Sequence, residues 1–150
     1  MPKILITEPD KCRGCELCTL YCSLSHFKTH QPSRAVIFVH SNKSSSTPVI
    51  CTQCGLCLAA CPMTAMKRDA TTGAIYVTDS CNACGRCVMV CPYGVVNIDP
   101  VTNKAIKCDY CDGTPQCVEH CPYGALKYLE DREALELRRI QTAENTMRRQ

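Results

Sequence analysis

Tryptophan is absent from this chain, phenylalanine occurs twice, and aromatic residues make up only 5% of 150 positions. Side chains rich in carbon are therefore scarce for building a sizeable oily core. No apolar run approaches the ~20 residues that a membrane-spanning helix needs. The amino end, MPKILITEPDK, is acidic by position 10 and lacks the apolar stretch of a secretory signal. That predicts a cytoplasmic location, unless a partner subunit carries an export signal for both. Fingerprints of several catalysts are missing too. The seven glycines form no G-x-G-x-x-G turn and no P-loop, so no nucleotide or flavin fingerprint is present, and no nucleophilic serine motif stands out. Radical chemistry on S-adenosylmethionine needs C-x3-C-x2-C, but after each C-x3-C the required position holds Ser25, Thr64, Gly94 or Gly124. Lys and Arg are dispersed, with no basic stripe interleaved with aromatics, so no nucleic-acid partner is expected. These absences predict a chain that is not itself a catalyst.

What it has instead is sulfur. Sixteen cysteines are about a tenth of the chain, a level that signals a disulfide scaffold or a metal protein. Structural disulfides are rare in the reducing cytoplasm, which leaves metal. The cysteines fall into four groups. CRGCELCTLYC starts at Cys12, CTQCGLCLAACP at Cys51, CNACGRCVMVCP at Cys81 and the looser CDYCDGTPQCVEHCP at Cys108. Three thiols within seven residues can turn around one corner of a metal centre. A cysteine three residues further on sits on the next helical turn and faces away. In two-cluster bacterial ferredoxins the fourth cysteine of C-x2-C-x2-C-x3-C-P accordingly ligates the other cluster. Proline after it stops the short helix, at Cys61-Pro62, Cys91-Pro92 and Cys121-Pro122, whereas Cys22 is followed by Ser23.

Zinc is the competing reading. Structural zinc usually takes two separated Cys pairs, four ligands per ion. Three close thiols plus a fourth, repeated four times, fit iron–sulfur better. The formal charge of +3 counts every thiol as neutral. Sixteen thiolates against roughly +8 on four iron–sulfide cores bring the oxidised holoprotein to about −5, so the sequence pI is no guide to partners.

The two middle groups are related over more than their cysteines. MKRDATTGAIYVTDSC (66–81) resembles VNIDPVTNKAIKCDYC (96–111) in layout, with Asp69 matching Asp99 at an offset of 30. Each reads as strand, tight turn, strand, with Gly73 and Asn103 tolerating positive φ. Alternation at 74–78 and 95–98 supports strands, and short helices are expected near 56–60 and 86–90. This predicts an α+β fold, a duplicated bacterial ferredoxin-like unit. ILIT (4–7) and AVIFVH (35–40) read as strands flanking the first group, and SNKSSSTP (41–48) as a polar surface loop. The expected division is a four-cluster domain over 1–128, with an outer unit of 1–40 and 104–128 around an inner two-cluster unit of 49–103. The linkers of 28, 19 and 16 residues allow group two to pair with three and one with four. They equally allow one with two and three with four.

Residues 129–150 hold no Cys, Gly or Pro and balance five acidic against five basic side chains from Glu130 onward. Leu126, Leu129, Leu137, Ile140 and Met147 recur at helical spacing, which predicts an amphipathic helix. It either packs on its own domain or docks as an arm on another subunit.

Through Tyr128 the pattern resembles the four-cluster ferredoxin-like electron-transfer subunits of multi-subunit redox enzymes. KCDYCDGTPQCVEHCPYGAL is similar to that family's fourth motif. PDKCRGCELCTLYCSLSH with QPSRAVIFV is similar to the small subunits of tungsten aldehyde oxidoreductases and carbon monoxide dehydrogenases. The resemblance implies four [4Fe-4S] clusters with crossed ligation. Cys12, Cys15 and Cys18 would share one with Cys121, and Cys108, Cys111 and Cys117 one with Cys22. Cys51, Cys54 and Cys57 would use Cys91, and Cys81, Cys84 and Cys87 would use Cys61. It further implies a catalytic partner subunit holding tungsten and a pterin, or in second place the nickel of a carbon monoxide dehydrogenase or a hydrogenase-linked partner, and a flavin-containing or other acceptor subunit. A free polyferredoxin, or a cluster wire self-associating into homo-oligomers, is the alternative class.

Around the thiols, Gly14, Gly55 and Gly85 suit either turn geometry or close approach of backbone N–H groups to sulfide. His26 and His120 lie within reach of a cluster sulfur in sequence, and all four histidines, with His30 and His40, are read as solvated or as neighbours of the clusters. Sixteen cysteines already make four sets of four. Tyr93 and Tyr123, each after a Cys-Pro, are expected to cover clusters from within the core.

Overall fold

Among the described residues, eight short strands pair two by two. The computed structural model describes residues 2–149. In it β1 (Lys3–Thr7) pairs antiparallel with β8 (Leu126–Glu130), bringing the two ends of the chain together with Leu5 opposite Tyr128. β2 (Phe38–Ser41) pairs with β3 (Ser46–Val49), β4 (Met66–Arg68) with β5 (Ile75–Val77), and β6 (Asn97–Ile98) with β7 (Ala105–Ile106). A lone two-stranded ribbon is marginal in water, so none of these pairs stands without what packs on it.

The helices follow the cysteine groups. α1 (Leu17–Phe27) carries Cys18 and Cys22, α2 (Leu56–Ala60) carries Cys57, α3 (Arg86–Val90) carries Cys87, and α4 (Gln116–Glu119) carries Cys117. α2 and α3 span five residues each and end before the Cys-Pro step. Lacking a proline there, α1 runs on past Cys22. Ser23, fully buried, bonds back to the Leu20 carbonyl and accepts the Gln31 N–H, fixing the turn that follows. α1 packs on α4, and α2 on α3. No helix among the described residues is long and apolar enough to cross a membrane.

The two related hairpins share their turn chemistry. The Asp69 carboxylate accepts from the backbone N–H groups of Thr71 and Thr72, and that of Asp99 accepts from the N–H and hydroxyl of Thr102. In both, the residue 4 on donates its N–H to the aspartate carbonyl: Gly73 at 3.0 Å and Asn103 at 2.9 Å, each at positive φ as expected. Three boundaries differ from expectation. The strand predicted over 35–40 starts at Phe38, because Val36 and Ile37 are buried in the interior instead of joining a ladder. The loop expected over 41–48 turns within 42–45, where the Asn42 side chain accepts from the Ser44 and Ser45 N–H groups, and its remainder is β3. Pro48 is tolerated there because a two-stranded ribbon has a free edge. The final helix, α5, is Asp131–Arg148, since Leu129 and Glu130 still pair with Ile4 and Lys3. α5 packs on β1 and β8 with Ala134 buried, Leu137 half-buried and Gln141 donating to the Thr7 carbonyl.

The interior has two apolar clusters. Leu5, Val36, Ile37, Ile50, Tyr110 and Leu126 surround Cys18, Cys22 and Cys117 in one, and Met66, Ile75 and Val96 surround Cys57 and Cys87 in the other. Consecutive residues Ala74 and Ile75 face one cluster each, so β5 lies between them. Of the 22 buried apolar residues described, six are cysteines and five alanines, so half of these positions contribute little carbon surface. A buried ion pair crosses the same boundary. Arg34 Nε and Nη2 donate to the two Asp99 oxygens at 2.7 and 2.8 Å, with the guanidinium stacked on Phe27.

That pair holds the Asp99 carboxyl far below its ordinary range, chiefly through the Arg34 hydrogen bonds. Asp99→Asn, leaving Arg34 buried and unpaired, is expected to cost about 3–5 kcal/mol. The readout is the denaturant midpoint of anaerobic protein at pH 7, and the double change Arg34→Met/Asp99→Asn should cost less than Asp99→Asn alone. Because the native pKa is depressed, the contribution is complete at neutral pH and is lost only as pH falls below about 4.

Candidate metal centres

The first three cysteine groups are folded by the same local device. A residue in the left-handed region reverses the chain before the helix that carries the third thiol. Gly55 (φ 88°) and Gly85 (φ 77°) cap α2 and α3, and Glu16 (φ 59°) caps α1. Gly14, at φ 73°, has a second constraint, since a Cβ there would meet Ser46 Oγ at 2.6 Å. The third thiol of every group (Cys18, Cys57, Cys87, Cys117) is buried, while the second of the first three (Cys15, Cys54, Cys84) is exposed.

Three cavities gather thiols from different groups. Cys61 lines one with Cys81, Cys84 and Cys87. Cys22 lines another with Cys108, Cys111 and Cys117, closed by Leu5, Val36 and Tyr110. Cys91 lines the third with Cys51, Cys54 and Cys57. Cys51 also reaches the second cavity and so stands between two of them. At the outer end, Cys12 and Cys121 are half-buried, Cys15 is exposed and Cys18 is buried, where α1 packs on α4.

The electrostatics suit thiols that stay protonated until metal arrives. Burial pushes the Cys18 thiol up to about 11 and raises Cys57, Cys87, Cys108 and Cys117. Such groups deprotonate readily only against a metal's positive charge. Backbone donors are already aimed at sulfur. Gln53 N–H lies 3.4 Å from Cys51 Sγ, Ala65 N–H 3.4 Å from Cys61 Sγ, and Ala105 N–H 3.3 Å from Cys81 Sγ. At Cys91 burial raises the pKa, but the N–H groups of Val95, Tyr93, Val96 and Gly94 outweigh it and leave the thiol lowered. Four thiols from two groups at each cavity, with Cys51 and His26 also lining the one of Cys22, Cys108, Cys111 and Cys117, and N–H groups pointing at sulfur, fit a [4Fe-4S] cluster.

Thiol neighbours also link the sites. Cys117 feels Cys18, Cys108 feels Cys51, and Cys87 feels Cys57. The histidines are otherwise engaged or free of the thiols. His26 Nε2 donates to Asp109 at 2.9 Å, a bond that raises the imidazole to about 11, and His120 stacks on Tyr21 with centroids 3.5 Å apart. His26, Asp109 and Cys111 offer donor atoms within 4.8 Å of one another, but His26 and Asp109 satisfy each other and Cys111 faces the thiol cavity. His30 and His40 are exposed.

Tyr93 and Tyr123 are not core: they are 44% and 48% exposed, because the Cys-Pro step turns the chain outward. Tyr93 covers the mouth of the Cys51, Cys54, Cys57 and Cys91 cavity. The buried tyrosine is Tyr110, packed on Tyr128 at 5.1 Å. Sequence reasoning missed Tyr110, Gln53 and Lys107. Only Lys107 left a trace, being a cation at the hairpin position where the offset of 30 places Val77 in the sister hairpin.

Residues 42–132 match a family model described as a 4Fe-4S dicluster domain, and residues 11–66 match a second model of that description. The polyferredoxin-like subunit of aliphatic sulfonate oxidoreductase from Pyrococcus furiosus is 42% identical over 79 residues, 51% of this chain and 45% of that protein. The match thus spans less than half of the relative's length. Among solved structures, the active site complex BamBC of benzoyl coenzyme A reductase with 1,5 dienoyl-CoA gives a TM-score of 0.50 at 24% identity, over 84% of this chain and 74% of that one. The same complex as isolated gives 0.49 at 22%, over 90% and 85%. At 24% identity the first of these likenesses is one of fold.

Removing the ring that covers a cavity mouth should admit water and oxygen to the site. Tyr93→Ala is expected to shorten the aerobic lifetime of the visible charge-transfer absorbance several-fold. Tyr123→Ala, at a ring lining none of the three cavities, should change it less. Equal lifetimes for Tyr93→Ala and wild type would remove the covering role.

Proposed function

The chain belongs to the 4Fe-4S dicluster domain family, and from that premise we propose that it is a non-catalytic electron-transfer subunit of an oxidoreductase, holding four [4Fe-4S] clusters. The observation that carries the reading is the gathering of thiols from different groups, four or five to a cavity, around three cavities. Those sets support crossed ligation: Cys61 with Cys81, Cys84 and Cys87; Cys91 with Cys51, Cys54 and Cys57; Cys22 with Cys108, Cys111 and Cys117. Cys12, Cys15, Cys18 and Cys121 make the fourth. A bound cluster supplies one reversible one-electron site.

The chain's own residues set the order. Cys18 beside Cys117, Cys51 beside Cys108 and Cys57 beside Cys87 support a single file with the Cys12 set at one end and the Cys61 set at the other. Pairing of β1 with β8 supports an outer unit made from both chain ends around an inner duplicated unit. Exposed Cys15 and Cys84 would let a donor and an acceptor approach the two ends of the file, and exposed Cys54 leaves an inner set open as well. The first partner we assign is a tungsten–pterin aldehyde oxidoreductase subunit, on the resemblance of the opening motif, with a flavin-containing or other acceptor beyond it. α5 keeps Leu135, Ile140 and Met147 exposed for such docking.

Two experiments test this. Cys61→Ser and Cys84→Ser should alter the same cluster signal in electron paramagnetic resonance, while Cys91→Ser and Cys54→Ser alter a different one. If Cys61→Ser instead disturbs the signal changed by Cys54→Ser, crossed ligation is wrong. Mild purification should recover a stoichiometric complex with a larger subunit containing tungsten and a pterin. Nickel in that subunit would reassign the partner, and a chain recovered alone or only with itself would favour a free carrier or a wire.

A further inference from the structure

Lys107 is only 5% exposed, one residue before Cys108. Its Nζ donates to Gln53 Oε1 at 2.8 Å, to the Cys108 carbonyl at 2.9 Å and to the Ile75 carbonyl at 3.0 Å. A neutral amine has two protons, so three donations to three oxygens are the pattern of an ammonium ion. All three acceptors are neutral. Among the described residues the ion pairs include no carboxylate on Lys107, in contrast to Arg34, the other buried cation, which has Asp99. Burying an uncompensated charge costs several kcal/mol. Something nearby must supply negative charge, and what lies nearby is sulfur. Lys107 lines the cavity of Cys51, Cys54, Cys57 and Cys91.

The sister hairpin is an internal control. The offset of 30 that relates Asp69 to Asp99 relates Val77 to Lys107. Val77 lines the cavity of Cys61, Cys81, Cys84 and Cys87. One position of the repeated hairpin is thus apolar beside one thiol set and cationic beside the other. Gln53 makes the cationic version fit. Its Oε1 accepts from Lys107 and from the Ile75 N–H, and its Nε2 donates to the Cys108 carbonyl at 2.7 Å. The same residue's N–H points at Cys51 Sγ. The network therefore spans the junction between the Cys51 and Cys108 sets.

We propose that Lys107 is a positioning residue for electrons: a fixed internal cation that raises the reduction potential of the Cys51, Cys54, Cys57 and Cys91 cluster above that of its neighbour held by Cys61, Cys81, Cys84 and Cys87. This rests on the cluster reading above. Four thiolates around a core of roughly +2 leave about −2 on each site, and an added electron makes it about −3. A nearby cation stabilises the more negative, reduced state. Electrons entering the file at the Cys61 end therefore pass downhill to this inner site.

The test is a potentiometric titration followed by paramagnetic resonance, on anaerobic wild type, Lys107→Met and Lys107→Gln. The cluster whose signal Cys54→Ser alters is expected to move to lower potential in both Lys107 variants. Its reduced-to-oxidised ratio at fixed potential should fall tenfold or more, which is 59 mV for one electron, with iron content unchanged and smaller shifts elsewhere. Unchanged potentials at full iron content, or equal shifts at all sites, would overturn the proposal. Should the variants lose iron, wild type alone decides: the signal altered by Cys54→Ser must titrate above the one altered by Cys84→Ser, and the reverse order overturns the inference. Wild type with no iron–sulfur clusters would instead defeat the functional reading itself.

Discussion

The gathering of thiols from different cysteine groups around shared cavities is the constraint on which the rest of this molecule depends. Backbone pairing cannot hold the shape, since every sheet has two strands and two of the four ribbons have strands of two or three residues. Carbon packing cannot do it either, because cysteine and alanine take half of the buried apolar positions. What converges on each cavity is a ring of thiols presented by short helices and by turns with left-handed residues. In the functional reading proposed here, iron supplies the cohesion that an oily centre supplies elsewhere, and folding and cofactor assembly are one event.

Such an interior is electrically demanding. Two buried cations lie near the boundary between the two apolar clusters, and each is handled differently. Arg34 has a carboxylate partner, and the pair ties the segment before β2 to the β6–β7 turn. Lys107 has neutral oxygens for its protons and, in the reading proposed above, the cluster thiolates of the adjoining cavity for its charge. The first is architecture. The second couples architecture to the energy of an electron, because the groups that balance it are the ones that would carry the added charge.

Much of this was legible in the sequence. α2 and α3 lie where C-x2-C-x2-C-x3-C-P puts them, and the positive φ of Gly73 and Asn103 follows from the Asp-initiated turns. What escaped was decided by contacts distant in the chain. Phe38 starts a strand and Val36 does not, because Val36 is needed in the interior; Leu129 reads as helical by spacing but is claimed by pairing with Ile4. Tyr93 and Tyr123 look like core until the turn after Cys-Pro is seen to carry them outward. Gln53 has no local signature at all, since its role lies in reaching the carbonyl of Cys108, 55 residues away.

The most direct measurement is iron and acid-labile sulfide per chain in anaerobically prepared protein, followed by circular dichroism after complete chelation of the iron. The account predicts about sixteen of each, from four cubanes of four iron atoms, and loss of the native spectrum once the metal is gone. Appreciably fewer irons, or a native fold that survives stripping, would contradict it.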